Sequence, residues 1–203
     1  VLQTSALPVP RVYAFESDAG LLGGKFFVMQ RLQGRAPPDV PVYNLGGWLA
    51  ESPPESQREV WREGVRTMAR LHRISGELGA STFDFLARPE RGNTGLEQSL
   101  AYWRNYYDWA AAGTNHPVME AAWSWLRANI PASASTQLAW GDARYGNLLF
   151  ADNHCTGLLD WDLVSLAGAE SDLCWWLLND TLNAKPYGVA RLPGLGTPRE
   201  TLD

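Results

Sequence analysis

Between Trp140 and Asp162 the chain gathers polar residues whose types and spacing suit a metal-dependent phosphoryl transfer. Asp142, Arg144 and Asn147 fall within Trp140-Gly141-Asp142-Ala143-Arg144-Tyr145-Gly146-Asn147, and Asp160 and Asp162 follow in Leu158-Leu159-Asp160-Trp161-Asp162. A hydroxyl attacking the γ-phosphate of ATP has to be oriented and relieved of its proton, and a carboxylate such as Asp142 can do both. The phosphates call for magnesium, a hard cation that takes oxygen ligands, and the amide oxygen of Asn147 and the carboxylate of Asp160 are of that kind. Arg144, two residues past the candidate base, could meet the charge on the transferring group. An isolated Asp near an Asn is as often a turn or a cap. Adding Gly141, Arg144 and Asp160 in a strand context is what favours chemistry.

The elements around these residues have to bring them together. Gln137 to Trp140 is a short run entering the loop, Gly141 and Gly146 permit unusual backbone angles, and Leu148-Leu149-Phe150 reads as a strand. Asp152-Asn153-His154 is turn chemistry, and Thr156 to Asp160 reads as the returning strand, which carries Asp160 back beside Asn147. Alternation along an extended segment would put Asp160 and Asp162 on one face, leaving open which of them holds the metal, with Asp162 read as the structural one. Upstream, Val12 to Glu16 and Phe26 to Leu32 flank a Gly-rich turn and predict a hairpin. Apolar spacing predicts helices over Arg58 to Ile74, Leu96 to Ala112, Pro117 to Asn129 and about Glu170 to Leu182. On the second of these, Tyr102, Tyr106 and Trp109 follow core spacing, while Trp103 and Tyr107 fall on a neighbouring strip. His72 lies on an apolar helix stripe and reads as a satisfied core histidine.

The D-x4-N loop followed by an apolar Asp-Trp-Asp resembles the aminoglycoside phosphotransferase and choline kinase-like family, and within it the branch related to the kinase domain fused to acyl-CoA dehydrogenases. That branch usually begins the loop His-Gly-Asp, and here Trp140 stands in the His place. The resemblance implies an α+β, protein-kinase-like fold: a remnant of the small β lobe with the hinge over residues 1–34, and a mostly helical large lobe with the catalytic hairpin over 35–203. It implies Asp142 as catalytic base, Asn147 and Asp160 as magnesium ligands, and Asp172 as a bracing acid on the following helix. It further implies Met29 at the back of the adenine pocket, the Gln30 carbonyl and Leu32 amide reading the adenine edge, and Leu149 packing beneath the base. Ala69-Arg70-Leu71-His72, Tyr102-Trp103, Trp125-Leu126, Asn129-Ile130-Pro131 and Arg191-Leu192-Pro193-Gly194 match as well. The phosphate-covering strands and their lysine have no counterpart, since Lys25 is a poor match. The chain is therefore expected to be an internal fragment that does not transfer phosphate at a useful rate by itself.

Composition sets outer bounds. With 203 residues and 45% hydrophobic content the chain can bury a full core. A formal net charge of −5 argues against a general nucleic-acid binder. No apolar run approaches the roughly 18 residues of a membrane span. Two cysteines give no disulfide framework, and a reducing, cytoplasmic setting is the simple expectation. The expected partner is a small molecule bearing a hydroxyl, aminoglycoside-like or a hydroxylated metabolite or acyl compound; the oligomeric state is not legible. Acidic residues are interspersed with Arg88, Arg91 and Arg104, so no run of acid stands out to attract a polycation. The competing reading is a degenerate kinase fold that binds or regulates.

Overall fold

Helices make up most of the regular secondary structure: α1 (Pro54–Leu78), α2 (Gly95–Ala111), α3 (Pro117–Ala128), α4 (Ala169–Leu182) and a short α5 (Pro198–Leu202). Two antiparallel hairpins accompany them, β1 (Val12–Glu16) with β2 (Phe26–Met29) and β3 (Leu148–Ala151) with β4 (His154–Leu158). The computed structural model describes residues 1–132, 134 and 136–202, so Asp203, the last residue of the expected large lobe, lies outside the described residues. α1 starts at Pro54 rather than Arg58, because proline is pre-organised for a first helical turn. It runs on to Leu78 and ends before Gly79, whose φ of 82° a residue with a side chain would resist. β4 pairs over His154–Leu158, earlier than the Thr156 to Asp160 expected, because Asp152 and Asn153 (φ 48° and 65°) make the turn by themselves.

Two compact units make up the chain. The first holds residues 1–71, 143–160 and 175–203, and the second 72–142 and 161–174. In the first, α1 buries Gln57, Val60, Trp61, Gly64, Thr67, Met68 and Leu71, spaced by threes and fours along one face. Completely covering Val60 and Leu71 stabilises the unit by about 2 kcal/mol each. Gly64 sits where a Cβ would come within 2.6 Å of the Trp176 ring, so its lack of a side chain lets that indole pack. Gln57 reaches off the helix to the carbonyls of Leu49 and Ser52 and accepts from the Gly194 amide.

In the second unit Phe83, Leu138, Ala139 and Leu166 are buried. Residues 137–139 run beside 165–167, with Ala139 and Ser165 exchanging both backbone hydrogen bonds. α2 opens on a reciprocal cap in which the Thr94 hydroxyl accepts from the Glu97 amide and the Glu97 carboxylate accepts from Thr94. Arg104 ties α2 to α3 through Glu120 at 2.8 Å, holding that carboxyl below its usual range. The expected core stripe of Tyr102, Tyr106 and Trp109 is corrected here: they are 39%, 51% and 75% exposed. Helical spacing gathers them on one face, but none of the described residues of this unit covers it. Trp125 is exposed as well.

Among the described residues no helix is long and apolar enough to cross a membrane. The two cysteines differ in environment, since burial pushes the Cys155 thiol up while Cys174 is exposed. A raised thiol pKa keeps the proton on as pH rises, so the reactive thiolate at Cys155 is scarce through neutral pH. Iodoacetamide at about pH 7.5 is expected to label Cys174 at least tenfold faster than Cys155, read by peptide mass spectrometry. Equal rates on the folded chain would contradict this reading of Cys155.

Candidate active site

One buried carboxylate holds the entrance of the loop that begins at Trp140. Asp172, on α4 and fully covered, accepts the Trp140 amide through Oδ2 and the Gly141 amide through Oδ1, each at 2.7 Å. Nε2 of His72 lies 2.8 Å from the same Oδ2. His72 is thus a satisfied histidine, and its partner is the acid on which the loop hangs. The Trp140 side chain is itself buried, its ring 6.3 Å from that of Trp161. Trp140 meets Asp172 through its backbone N–H, which every residue but proline supplies, so a Trp in place of His keeps the bond.

Gly141 turns the chain with φ 95°, and a Cβ there would stand 2.1 Å from the Leu163 carbonyl oxygen. Only glycine fits that approach. It delivers Asp142 to the end of the segment with its side chain partly exposed.

In the first unit the loop continues through Arg144, whose Nη1 lies 2.6 Å from Oδ2 of Asp39. Sequence reasoning missed Asp39, which stands far back among prolines and carries no motif. A tight turn, Tyr145–Asn147, follows. Tyr145 is buried between Tyr43 (ring centroids 5.0 Å) and Trp176 (4.3 Å), and burial holds its phenol protonated. Tyr43 in turn donates to Asp180, which Arg191 also grips, so the turn rests on a fixed aromatic and ionic base.

Asn147 is buried at the head of β3. Leu148 pairs with Leu158, and the Asn147 carbonyl accepts the Leu159 amide at 3.0 Å, so the next residue, Asp160, is brought beside Asn147. Asp160 takes φ 57°, a left-handed backbone that costs a non-glycine residue about 1 kcal/mol, and its side chain is exposed. The same turn ends the alternation that would have set Asp162 on the Asp160 face. Asp162 belongs to the second unit, where it lines a cleft with Gly141.

The residues expected around an adenine lie on the first hairpin and the strand after the loop. Met29 ends β2 half exposed, and the Gln30 amide donates to the Arg11 carbonyl at 2.7 Å. Past Leu32, Arg35 exchanges two backbone bonds of 3.0 Å with Phe150, and the Thr156 hydroxyl donates to the Gln33 carbonyl at 2.6 Å. Gly34 therefore rests on Leu149, within 3.2 Å of its Cβ from the place a Cβ would take. Gly157, opposite Leu149, leaves that side chain its room. The fold joins Leu149 to the segment just beyond Leu32.

Comparison with known proteins agrees with this architecture. A profile of the phosphotransferase enzyme family matches residues 1–195. Among curated proteins, the probable acyl-CoA dehydrogenase IBR3 of Arabidopsis thaliana is 28% identical over 187 residues, covering 88% of this chain and 21% of its own length. Acyl-CoA dehydrogenase family member 11 of Gallus gallus is 28% identical over 178 residues, covering 86% of this chain and 21% of its own. The chain spans about a fifth of the length of these relatives. Among solved structures, a candidate aminoglycoside phosphotransferase from Ralstonia eutropha superposes with a TM-score of 0.73 at 20% identity, over 98% of this chain and 60% of that one. An aminoglycoside-3'-phosphotransferase of type VIII gives 0.59 at 18%, over 99% and 67%. At such identities the likeness establishes the fold: α+β and protein-kinase-like.

Proposed function

Because the chain belongs to the phosphotransferase enzyme family, we propose that it is the nucleotide- and metal-handling part of a kinase that moves the γ-phosphate of ATP to a hydroxyl of a small molecule. The observation that carries this reading is the bond from the Leu159 amide to the carbonyl of Asn147, with Asp160, in a strained left-handed backbone, as the very next residue. Strain at a polar residue is tolerated where the surroundings fix it, and such residues collect at functional sites.

An amide oxygen and a carboxylate are a donor set that fits magnesium, so Asn147 and Asp160 would hold that ion. When bound, it would neutralise charge on the phosphates. Asp142 accepts the proton of the acceptor hydroxyl and orients its oxygen. Arg144, steadied by Asp39, supplies positive charge at the transferring group. The stretch from Met29 to Leu32 reads the adenine edge through the Gln30 carbonyl and the Leu32 amide, with Leu149 beneath the base.

The test is magnesium-dependent transfer from ATP by the purified protein, across aminoglycosides and hydroxylated metabolites or acyl compounds. Transfer that needs the metal and falls at least about 100-fold in Asn147→Ala or Asp160→Ala is the expected result. A folded, nucleotide-binding protein that transfers to nothing would favour a degenerate kinase fold used for binding.

A further inference from the structure

The second unit holds a cleft of about 200 Å³ whose lining includes Gly141, the neighbour of the proposed base, together with Arg88, Arg91, Tyr102, Trp103 and Asp162. Two guanidiniums face one carboxylate among its lining residues. Arg88 spends Nη1 on the backbone carbonyls of Phe85 and Ala87, which satisfy hydrogen bonds but leave its charge uncancelled. Arg91 has only a loose approach to Glu90, 3.9 Å, and lies over the Tyr102 ring at 5.6 Å. The nearby Glu97 carboxylate is committed to capping α2 through the amides of Asn93 and Thr94. The lining thus carries two guanidiniums to one carboxylate, with an exposed aromatic pair, Tyr102 and Trp103, on its wall.

We infer that this cleft receives an acceptor carrying an anionic group, a carboxylate or a phosphate, which Arg88 and Arg91 bind while Tyr102 and Trp103 pack its apolar part. Guanidinium forks match both anions in planar, charge-assisted pairs, and the aromatic faces suit a hydrocarbon segment rather than a sugar amine. An ammonium-rich acceptor would meet like charge on entry. The inference takes the acceptor's hydroxyl from the kinase reading, but its anion rests on the cleft alone.

Binding of matched probes to the whole chain tests it without turnover: hydroxyhexanoate, hydroxyhexyl phosphate, hexanediol and aminohexanol, each titrated by NMR at low salt. The two anions are expected to bind at least about tenfold more tightly than the diol or the amine. That gap should close when Arg88→Gln and Arg91→Gln are combined and persist with Arg88→Lys and Arg91→Lys, and added salt should narrow it. Whichever anion binds more tightly identifies the group. Amine binding equal to that of the anions, or a gap that survives the glutamine pair, overturns the inference. Anion preference without phosphoryl transfer sinks the kinase reading alone; transfer without the preference sinks this one alone.

Discussion

Asp142→Asn is expected to lower phosphoryl transfer by the protein about 10²–10⁴-fold, the span typical of losing a general base. Asparagine is nearly the same size and can still accept a hydrogen bond, but it cannot take the hydroxyl proton. The loss should therefore fall on kcat, with the KM for ATP moved less than about threefold, because nucleotide contacts assigned to Met29–Leu32, Leu149, Asn147 and Asp160 do not use this side chain. Steady-state kinetics with the melting temperature as a folding control decide it. A variant that keeps more than a tenth of wild-type kcat would remove Asp142 from the role of base.

Asp172→Asn should cost stability instead, by about 3–5 kcal/mol, a large part of the roughly 5–15 kcal/mol that holds a domain together. Asp172 is fully covered and accepts from two backbone amides and faces His72, so its two oxygens are already matched to donors. The amide would present an N–H₂ to one of those donors and leave a buried group unsatisfied. His72→Gln removes one partner near the edge of the network and is expected to cost less than half as much. Urea unfolding of the purified chain reads both. An Asp172→Asn midpoint within error of wild type would show that the loop entrance does not depend on this acid.

Periodicity and turn chemistry placed the helices and both hairpins, because a helix face or a hairpin turn is decided by residues a few positions apart. They failed where the deciding neighbour is distant. Tyr102, Tyr106 and Trp109 satisfy a core stripe on α2 yet stand in the open, since spacing specifies a face and says nothing about a covering partner. Asp160 and Asp162 were one face by alternation until a left-handed Asp160 broke the strand.

By itself the sequence determined the local order of elements, the Asp142 to Asn147 loop and the hairpin that follows it, and the family to which the chain belongs. Short-range backbone preferences and residue types are enough for that. Only the tertiary structure decided that Asp172 and His72 hold the loop, that Asp39 meets Arg144, and that Arg88 and Arg91 share a cleft with Gly141. Each of the first two joins residues about a hundred positions apart. Their meeting depends on how buried faces pack, a long-range condition that no local pattern encodes.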